Sequence, residues 1–373
     1  MKLQSHSKVI FSIGGGKGGV GKSIFSIAFG AVLAKSGQRV ILADLDLGAA
    51  NLHTYLGITK KTPTIADFIL RRVPSLEDLL IETSVKNLKL ISGAEFVPGM
   101  ANPAHWMKLK IMRHVRSLPA DTVIIDLGAG VHFNTLDFFG ISDRGFVLTA
   151  PEPGAVMNAY GFIKGAIFRK LQGVFRKHAE LGPIIDSEMK RTDDSRKLTL
   201  EWLSEQIKLI APEMLPLIEE IEQSFCPALV VNRVAEDEKH ILVENLISLC
   251  NDKLGVPVQH MGNLPDIPDI RNYLLDVPKF LTTINGKSYE IAVRNIVGKL
   301  GKAATKGEVG VRNDFSDEQV EAIIRMMDEL DENVYGDTNK DTWKLRMYFK
   351  PSEVVNFLVS QGVKHELFYP EID

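Results

Sequence analysis

Residues 14–23 read GGGKGGVGKS, and the rest of the chain can be laid out around them. The apolar run at residues 9–13 predicts a buried strand before this loop, and residues 24–34 predict a helix after it. A strand, a glycine loop and a helix in this order turn backbone N–H groups toward one anion. The order therefore predicts a phosphate-binding loop, in which Lys22 meets the outer phosphates and Ser23 offers a hydroxyl to Mg²⁺.

The spacing of Gly16, Gly21, Lys22 and Ser23 fits the pattern G-x-x-x-x-G-K-[ST]. Long sequences contain this pattern by chance, and the alternative interpretation is a glycine-rich turn without a ligand. The flanking strand and helix are the context that the pattern requires. We therefore favour a nucleotide-binding loop.

A second lysine, Lys17, lies inside the loop, where an ordinary phosphate-binding loop needs no charge. Residues 16–23 resemble the deviant Walker A motif of the MinD/ParA ATPase family. The resemblance implies that Lys17 reaches across a dimer interface to the nucleotide of a second copy, so that ATP joins two copies into a homodimer. The alternative is a solvated surface lysine.

This resemblance covers most of residues 8–300 and implies an α/β fold with a doubly wound, mostly parallel sheet, the SIMIBI class of P-loop NTPases. The strand–helix–strand order that starts at residue 9 agrees with it, because such a connection gives a right-handed parallel crossover. By position in the motif, the resemblance assigns ATP contacts to Gly16, Lys17, Gly18, Gly19, Val20, Gly21, Lys22, Ser23 and Ile24.

The second predicted strand, at residues 39–43, ends in Asp44-Leu45-Asp46. Ligands bind at the carboxyl ends of strands in open α/β sheets, so both carboxylates are predicted to lie beside the glycine loop. One can serve the Mg²⁺ shell while the other positions an attacking water. The resemblance assigns the water and a place at the metal to Asp46, and support of the shell or loop to Asp44. The alternative is two ordinary loop carboxylates.

A β-branched apolar run at residues 122–126 ends in Asp126 and predicts a buried strand that delivers one carboxylate to the metal, the Walker B arrangement. The predicted metal set is thus Ser23, Asp46 and Asp126. The loop that follows contains Gly128, whose backbone N–H is predicted to approach the γ-phosphate. Lys17, Lys22 and Asp46 form the predicted catalytic set.

Residues 228–233 predict another buried strand, which ends in Asn232-Arg233. An amide carries a donor and an acceptor, which suits the edge of adenine. The resemblance places Asn232 at that edge, with Arg233 beside it. Pro265 and Asp266 follow the last predicted strand and resemble the loop that closes over the base.

The composition is that of an ordinary soluble globular protein: the chain has 373 residues, 45% of them hydrophobic, and a net charge of −3. It shows neither a bilayer-spanning run nor a signal-peptide core, which predicts a cytoplasmic protein. Recruitment to the inner face of the membrane or to a cell pole is left open. The two cysteines, Cys226 and Cys250, lack a C-x-x-C partner and are interpreted as buried free thiols.

Two segments depart from the family pattern. A helical insertion is predicted at about residues 171–226, and an extension at 305–373 is predicted to be a small docking subdomain after a core at 1–304. The insertion mixes basic clusters with acids, so a solvated face is favoured over a nucleic-acid or membrane surface. The extension contains an acidic helix and lacks the basic amphipathic helix that binds anionic lipid.

Several helices are predicted from apolar periodicity, at residues 63–70, 76–81, 103–116, 154–170, 200–210, 214–225 and 278–301. Ile291, Ile296, Val297 and Leu300 are predicted to form the buried stripe of the last of these helices.

The leading functional hypothesis is an ATP-dependent, dimerising ATPase switch that positions a flagellum, a division apparatus or another polar machine. The flagellar-number branch of the family is favoured over MinD itself. The alternatives are a DNA-partitioning ATPase like ParA and a nucleotide-binding scaffold with little turnover. An iron–sulfur carrier would need paired cysteines, and a tyrosine kinase of this fold would need a C-terminal tyrosine cluster.

Overall fold

A computed structural model describes residues 8–93, 105–175, 178–190, 199–235 and 241–303. The described residues belong to one compact unit of the chain. The predicted extension at 305–373 lies outside them.

The eight strands form one sheet. In chain order they are β1 Val9–Gly14, β2 Val40–Asp44, β3 Leu80–Glu82, β4 Leu88–Ile91, β5 Thr122–Asp126, β6 Arg144–Thr149, β7 Ala228–Val234 and β8 Gln259–Pro265.

The described helices connect these strands and cover the sheet. They are α1 Lys22–Lys35, α2 Leu52–Tyr55, α3 Ile65–Ile69, α4 His105–Ser117, α5 Phe133–Gly140, α6 Pro153–Phe175, α7 Leu181–Lys190, α8 Leu200–Ile210, α9 Leu215–Ser224, α10 Ile241–Leu249, α11 Val277–Phe280 and α12 Ile284–Ala303.

The strand order is β3-β4-β2-β5-β1-β6-β7-β8, and every pair is parallel except β3 with β4. The predicted doubly wound, mostly parallel sheet is confirmed. β1 lies between β5 and β6, so the carboxyl ends of β1, β2 and β5 meet at one edge of the sheet. We call this the carboxyl edge.

Alternating side chains of the strands pack into two separate hydrophobic cores, one on each face of the sheet. Ile41 and Ala43 of β2 pack on the face covered by α3 to α10, whereas Val40 and Leu42 pack on the face covered by α1, α2, α11 and α12. This alternation is what a pleated strand buried on both faces produces. It holds the carboxyl edge between two packed helical layers.

Helix α1 is fixed to the sheet by an aromatic cluster. The rings of Phe25 and Phe29 lie 5.2–5.6 Å from those of Phe11 and Phe146 in edge-on or near edge-on contacts. Each such pair contributes about 0.5–1.5 kcal/mol beyond its buried area. The start of α1, which follows the glycine loop directly, is therefore held rigidly against β1.

Helices α7, α8 and α9, within the described residues 181–190 and 199–224, are what we call the helical layer. The helices predicted at 200–210 and 214–225 are confirmed within one or two residues. Their buried residues belong to the same core cluster as those of α6, whereas Leu209 is 80% exposed.

Two predicted helices need correction. Residues 76–81 form a short 3₁₀ turn and then β3, which pairs with β4, so sheet pairing overrides a short helical pattern. The helix predicted at 278–301 is broken between α11 and α12, because the Thr283 hydroxyl accepts the N–H of Gly286 and begins a new helix. Ile291 was predicted to be buried and is 58% exposed.

Among the described residues, no helix combines the length and apolar character that crossing a membrane requires.

Candidate functional site

The glycine loop runs from the end of β1 to the start of α1. Gly21, its last residue, has a φ of 94°, a left-handed conformation that residues with a Cβ rarely adopt. A Cβ on Gly21 would also lie 2.2 Å from Nδ2 of Asn232, which donates to the backbone oxygen of Val20 at 2.8 Å. Both the backbone conformation and the space therefore require glycine here.

The N-terminus of α1 faces this loop, and no side chain caps it. Lys22, its first residue, is 8% exposed, and no described residue forms a hydrogen bond or ion pair with its Nζ. Burial lowers the pKa of Lys22, while Asp126 and Asp46 act in the opposite direction. The uncapped N–H groups of α1 and the ammonium of Lys22 are the donors that a phosphate group would accept.

Asp126, at the end of β5, is buried and accepts two hydroxyl groups. Ser23 Oγ donates to its Oδ2 at 2.6 Å, and Ser26 Oγ donates to its Oδ1 at 2.7 Å. Burial raises the pKa of Asp126, and the two hydroxyl groups lower it. Because the Ser23 hydroxyl donates its hydrogen to Asp126, the lone pairs of the Ser23 oxygen can coordinate a cation.

Asp44, the last residue of β2, is almost fully buried. Its carboxylate accepts the backbone N–H groups of Asp46, Asn51 and Leu52 at 3.0–3.2 Å. Burial raises the pKa of Asp44, and neighbouring Asp126 raises it further. Asp44 thus holds together the loop that carries Asp46.

Asp46 is half-buried and lies against the loop that follows β5. A Cβ on Gly128 would stand 2.8 Å from Oδ1 of Asp46. Only glycine at this position lets the loop approach the carboxylate so closely.

Residues 127–132 join β5 to α5, and we call them the switch segment. Leu127 N donates to Ile13 O at 3.0 Å, and Gly130 N donates to Gly15 O at 3.3 Å. The switch segment is therefore hydrogen-bonded to β1 and to the glycine loop. It places Gly128 against Asp46, and the predicted contact of Gly128 with a γ-phosphate stays a prediction.

Lys17 is paired within its own chain. Its Nζ lies 2.8 Å from Oε2 of Glu152, and Arg233 Nη1 lies 3.5 Å from Oε1 of the same carboxylate. All three side chains are 42–46% exposed. Lys17 is therefore half-exposed and is held by an ion pair within its own chain.

The predictions did not include Glu152 or Ser26 in the site. Glu152 follows β6, and its place at the carboxyl end of a strand next to β1 could have pointed to it. Ser26 lies one helical turn after Ser23, so the two hydroxyl groups share a face of α1.

The residues predicted to contact the base lie at the ends of β7 and β8. Asn232 is buried and tied to the glycine loop, as described above. Arg233 follows with a φ of 62°, an uncommon conformation for arginine. Pro265 is the last residue of β8 rather than part of a loop, and Asp266 N donates to Val234 O at 3.0 Å.

The residues present fit a nucleotide with Mg²⁺. The uncapped helix, buried Lys22 and the glycine loop suit phosphates, and the oxygens of Ser23, Asp46 and Asp126 are the hard ligands that Mg²⁺ prefers. In the part of the chain that the structure describes, no group of three or more His, Cys, Asp or Glu residues is arranged to hold a metal by itself.

A groove of about 670 Å³ lies at the other end of α1, between Lys35, Val85 and Lys279. None of the predicted site residues lines it, so it is separate from the carboxyl edge.

The family model described as CobQ/CobB/MinD/ParA nucleotide binding domain matches residues 11–274, which is more than half of the chain. The chain belongs to this family. The match spans every motif from the glycine loop to Pro265 and Asp266, and the resemblance to the MinD/ParA family is confirmed.

Curated CobQ/CobB/MinD/ParA-type relatives match the chain over a limited region. The antiactivator FleN of Pseudomonas aeruginosa is 30% identical over 167 residues, 43% of this chain and 56% of FleN. The flagellum site-determining protein YlxH of Helicobacter pylori is 30% identical over 162 residues, 41% of this chain and 52% of YlxH. MinD of Thermotoga maritima is 31% identical over 145 residues, 39% of this chain and 53% of that MinD. The chain thus spans about half the length of these relatives.

Solved structures share the fold. MinD of Pyrococcus horikoshii, solved with Mg-ADP, matches with a TM-score of 0.52 at 20% identity over 81% of this chain and all of that one. A ParA family ATPase of Chlorobium tepidum matches with a TM-score of 0.52 at 16% identity over 79% of this chain and 99% of that one. The chain therefore has the same fold as these two structures.

Proposed function

We propose that the chain is a Mg²⁺-dependent ATPase that works as a dimerising switch. The observation that carries this proposal is the convergence of Lys22, Ser23, Asp46 and Asp126 on one glycine loop at the carboxyl edge. The uncapped start of α1 and the buried Lys22 ammonium suit the charge of a triphosphate.

Each of these residues has a role in the proposed reaction. Lys22 neutralises negative charge on the outer phosphates, and Ser23 and Asp126 would hold Mg²⁺ together with Asp46. When bound, Mg²⁺ would neutralise phosphate charge and fix the phosphate oxygens. Asp46 would accept a hydrogen bond from the attacking water, and Gly128 N–H would face the γ-phosphate.

Lys17 would supply the dimeric step. In the single chain it is held by the exposed carboxylate of Glu152, an ion pair of a type that is worth about 0–1 kcal/mol. Breaking such a pair is a small cost beside the contact of a lysine with a phosphate. We infer that ATP draws Lys17 away from Glu152 toward the nucleotide of a second copy.

The output of the switch is proposed from the relatives. YlxH is named a flagellum site-determining protein, MinD a septum site-determining protein and FleN an antiactivator. A role in positioning a flagellum, a division apparatus or another polar machine fits this set, with recruitment to the inner face of the membrane or to a pole. A DNA-partitioning role would give salt-sensitive retention on DNA.

The proposal is tested with Asp46→Ala. We expect loss of ATP hydrolysis by at least about 100-fold, because the attacking water loses its acceptor. ATP binding and the ATP-dependent dimer should persist, since Lys22, Ser23 and Asp126 remain. Phosphate release measures hydrolysis, and light scattering on a sizing column measures the dimer.

Glu77→Ala is the matched control, because Glu77 is an exposed acid outside the carboxyl edge. It should hydrolyse ATP at the wild-type rate. Normal hydrolysis by Asp46→Ala would show that the water is positioned elsewhere. A wild-type chain that binds Mg-ATP without turning it over would support the scaffold alternative instead.

A further inference from the structure

A group of charged and polar side chains lies beneath the start of α5, away from the phosphate site. Asp137 accepts from Lys108 Nζ at 2.5 Å, from Arg169 Nε at 2.6 Å and from Arg169 Nη2 at 3.1 Å. The side chains of Lys108 and Asp137 are only 8% and 15% exposed. One carboxylate of α5 is thus fixed by cations of α4 and α6.

Arg169 contacts α5 at two points one helical turn apart. Besides its bidentate bond to Asp137, its guanidinium lies 4.6 Å from the ring centre of Phe133. Phe133 is the first residue of α5 and follows the switch segment directly. A planar guanidinium can make both contacts at once, which an ammonium cannot. Arg169 therefore fixes the end of the switch segment that is remote from β5.

A second contact of α6 supports the same end. A Cβ on Gly165 would stand 3.2 Å from Leu136 of α5 and 3.8 Å from Cβ of Val131 in the switch segment. Val131 and Phe133 are themselves about half exposed. The α5 end of the switch segment thus lies against α6, whereas its β5 end is held by the buried Leu127.

Arg169 is also linked to the helical layer. Its Nη1 donates to Oε1 of Gln172 at 2.6 Å, and Nε2 of Gln172 donates to Oδ1 of Asp186 on α7 at 2.5 Å. A continuous set of hydrogen bonds therefore runs from α7 through Gln172 and Arg169 to Asp137 of α5.

We propose that Arg169 is a positioning residue through which the helical layer controls the switch segment. A partner that moves α7 would change the place of Gln172 and Arg169, and with them the α5 end of the switch segment, whose β5 end carries Gly128 against Asp46. The effect on turnover rests on the proposed ATPase function, whereas the coupling of α7 to the switch segment does not.

Hydrogen–deuterium exchange of the full chain without nucleotide tests the coupling. Arg169→Ala should speed exchange of the amides of residues 127–137 by roughly tenfold, and Asp186→Ala on the remote helix should speed it by roughly two- to threefold. Arg169→Lys should lie between wild type and Arg169→Ala. In the Arg169→Ala background, Asp186→Ala should add nothing, because the connection is already broken.

Ser187→Ala is the matched control on α7, because the Ser187 hydroxyl is exposed and bonds only its own helix, at Ile184 O. It should leave exchange of residues 127–137 unchanged. If the amides of residues 127–137 exchanged at the wild-type rate in Asp186→Ala, the proposal would be overturned. A uniform rise across β1, β4 and α1 in Arg169→Ala would overturn it too, because it would indicate global loss of stability.

Steady-state kinetics give a separate result. Arg169→Ala should lower kcat with an unchanged KM for ATP, since the phosphate loop is intact. A wild-type kcat in Arg169→Ala would overturn control of turnover by Arg169. If the wild-type chain does not hydrolyse ATP, the proposed function fails while the exchange experiment still decides the coupling.

Discussion

Two regions of the molecule bury charged side chains, and they do so differently. Below α5, Lys108 is matched by Asp137 at ion-pair distance. At the carboxyl edge, Asp44 and Asp126 lie buried near each other, burial raises the pKa of both, and the Lys22 ammonium has no hydrogen bond among the described residues. Buried charges are costly unless paired. The first region is balanced by its own ion pairs, whereas we propose that a bound ligand balances the second.

Replacing the buried Lys22 and the buried Lys108, one at a time, tests this difference most strongly. Lys22→Met should weaken Mg-ATP binding by at least about 100-fold, because the outer phosphates lose their ammonium. Its unfolding free energy should not fall, because the lowered pKa of Lys22 shows that the fold disfavours its charge. Titration with a fluorescent ATP analogue and urea unfolding measure the two quantities. Unchanged ATP affinity would show that the nucleotide binds elsewhere.

Lys108→Met should show the opposite behaviour. The unfolding free energy should fall by about 1–3 kcal/mol, because Asp137 loses a buried charged donor and keeps only Arg169. ATP affinity should stay at the wild-type value, since Lys108 lies on α4, outside the carboxyl edge. Urea unfolding at constant pH provides the measurement. If Lys108→Met were as stable as wild type, the ion pair would not be what balances this buried charge.

Gly128→Ala examines how tightly the carboxyl edge is assembled. The added methyl group would meet Oδ1 of Asp46 at 2.8 Å, so either the switch segment or Asp46 has to move. We expect kcat to fall by roughly tenfold with little change in ATP affinity, since a small displacement of a positioning group is costly for the reaction. Gly154→Ala is the control, because a Cβ there meets no atom within 4 Å. Equal kcat values for the two variants would contradict the close approach.

The carboxyl edge could be predicted from sequence because its signals are local. The sequence marks the end of β1 by the glycine loop, the end of β2 by Asp44-Leu45-Asp46 and the end of β5 by Asp126. Parallel strands bring these ends together. The structure places all of them at one edge. Their roles in binding and hydrolysis remain predictions, as do the domain boundaries at residues 304 and 305.

Contacts between distant parts of the chain could not be predicted in this way. Asn232 bonds the loop at Val20, 212 residues away, and Glu152 meets both Lys17 and Arg233. Apolar periodicity reports which side of an element is buried and not which element covers it. The break before α12 depends on one hydroxyl, that of Thr283, and the exposure of Ile291 follows from the tertiary arrangement.

Glu152→Gln gives the smallest expected effect, because Glu152 and Lys17 are both nearly half exposed. The hydrogen bond and charge of Lys17 lower the pKa of Glu152, so the pair is formed at neutral pH, but water screens it. Removing the charge should free Lys17 and tighten the ATP-dependent dimer by up to about fivefold for each copy, as expected for a pair worth at most about 1 kcal/mol. The measurement is sedimentation of the dimer with ATP in the Asp46→Ala background, where hydrolysis does not interfere. The gain should vanish at high salt, where the wild-type pair is already weakened.

Glu82→Gln, which removes an exposed partner of Lys89 at the sheet edge, should leave the dimer unchanged. A weaker dimer in Glu152→Gln would mean that Glu152 itself contributes to the interface, and that the single chain does not hold Lys17 back.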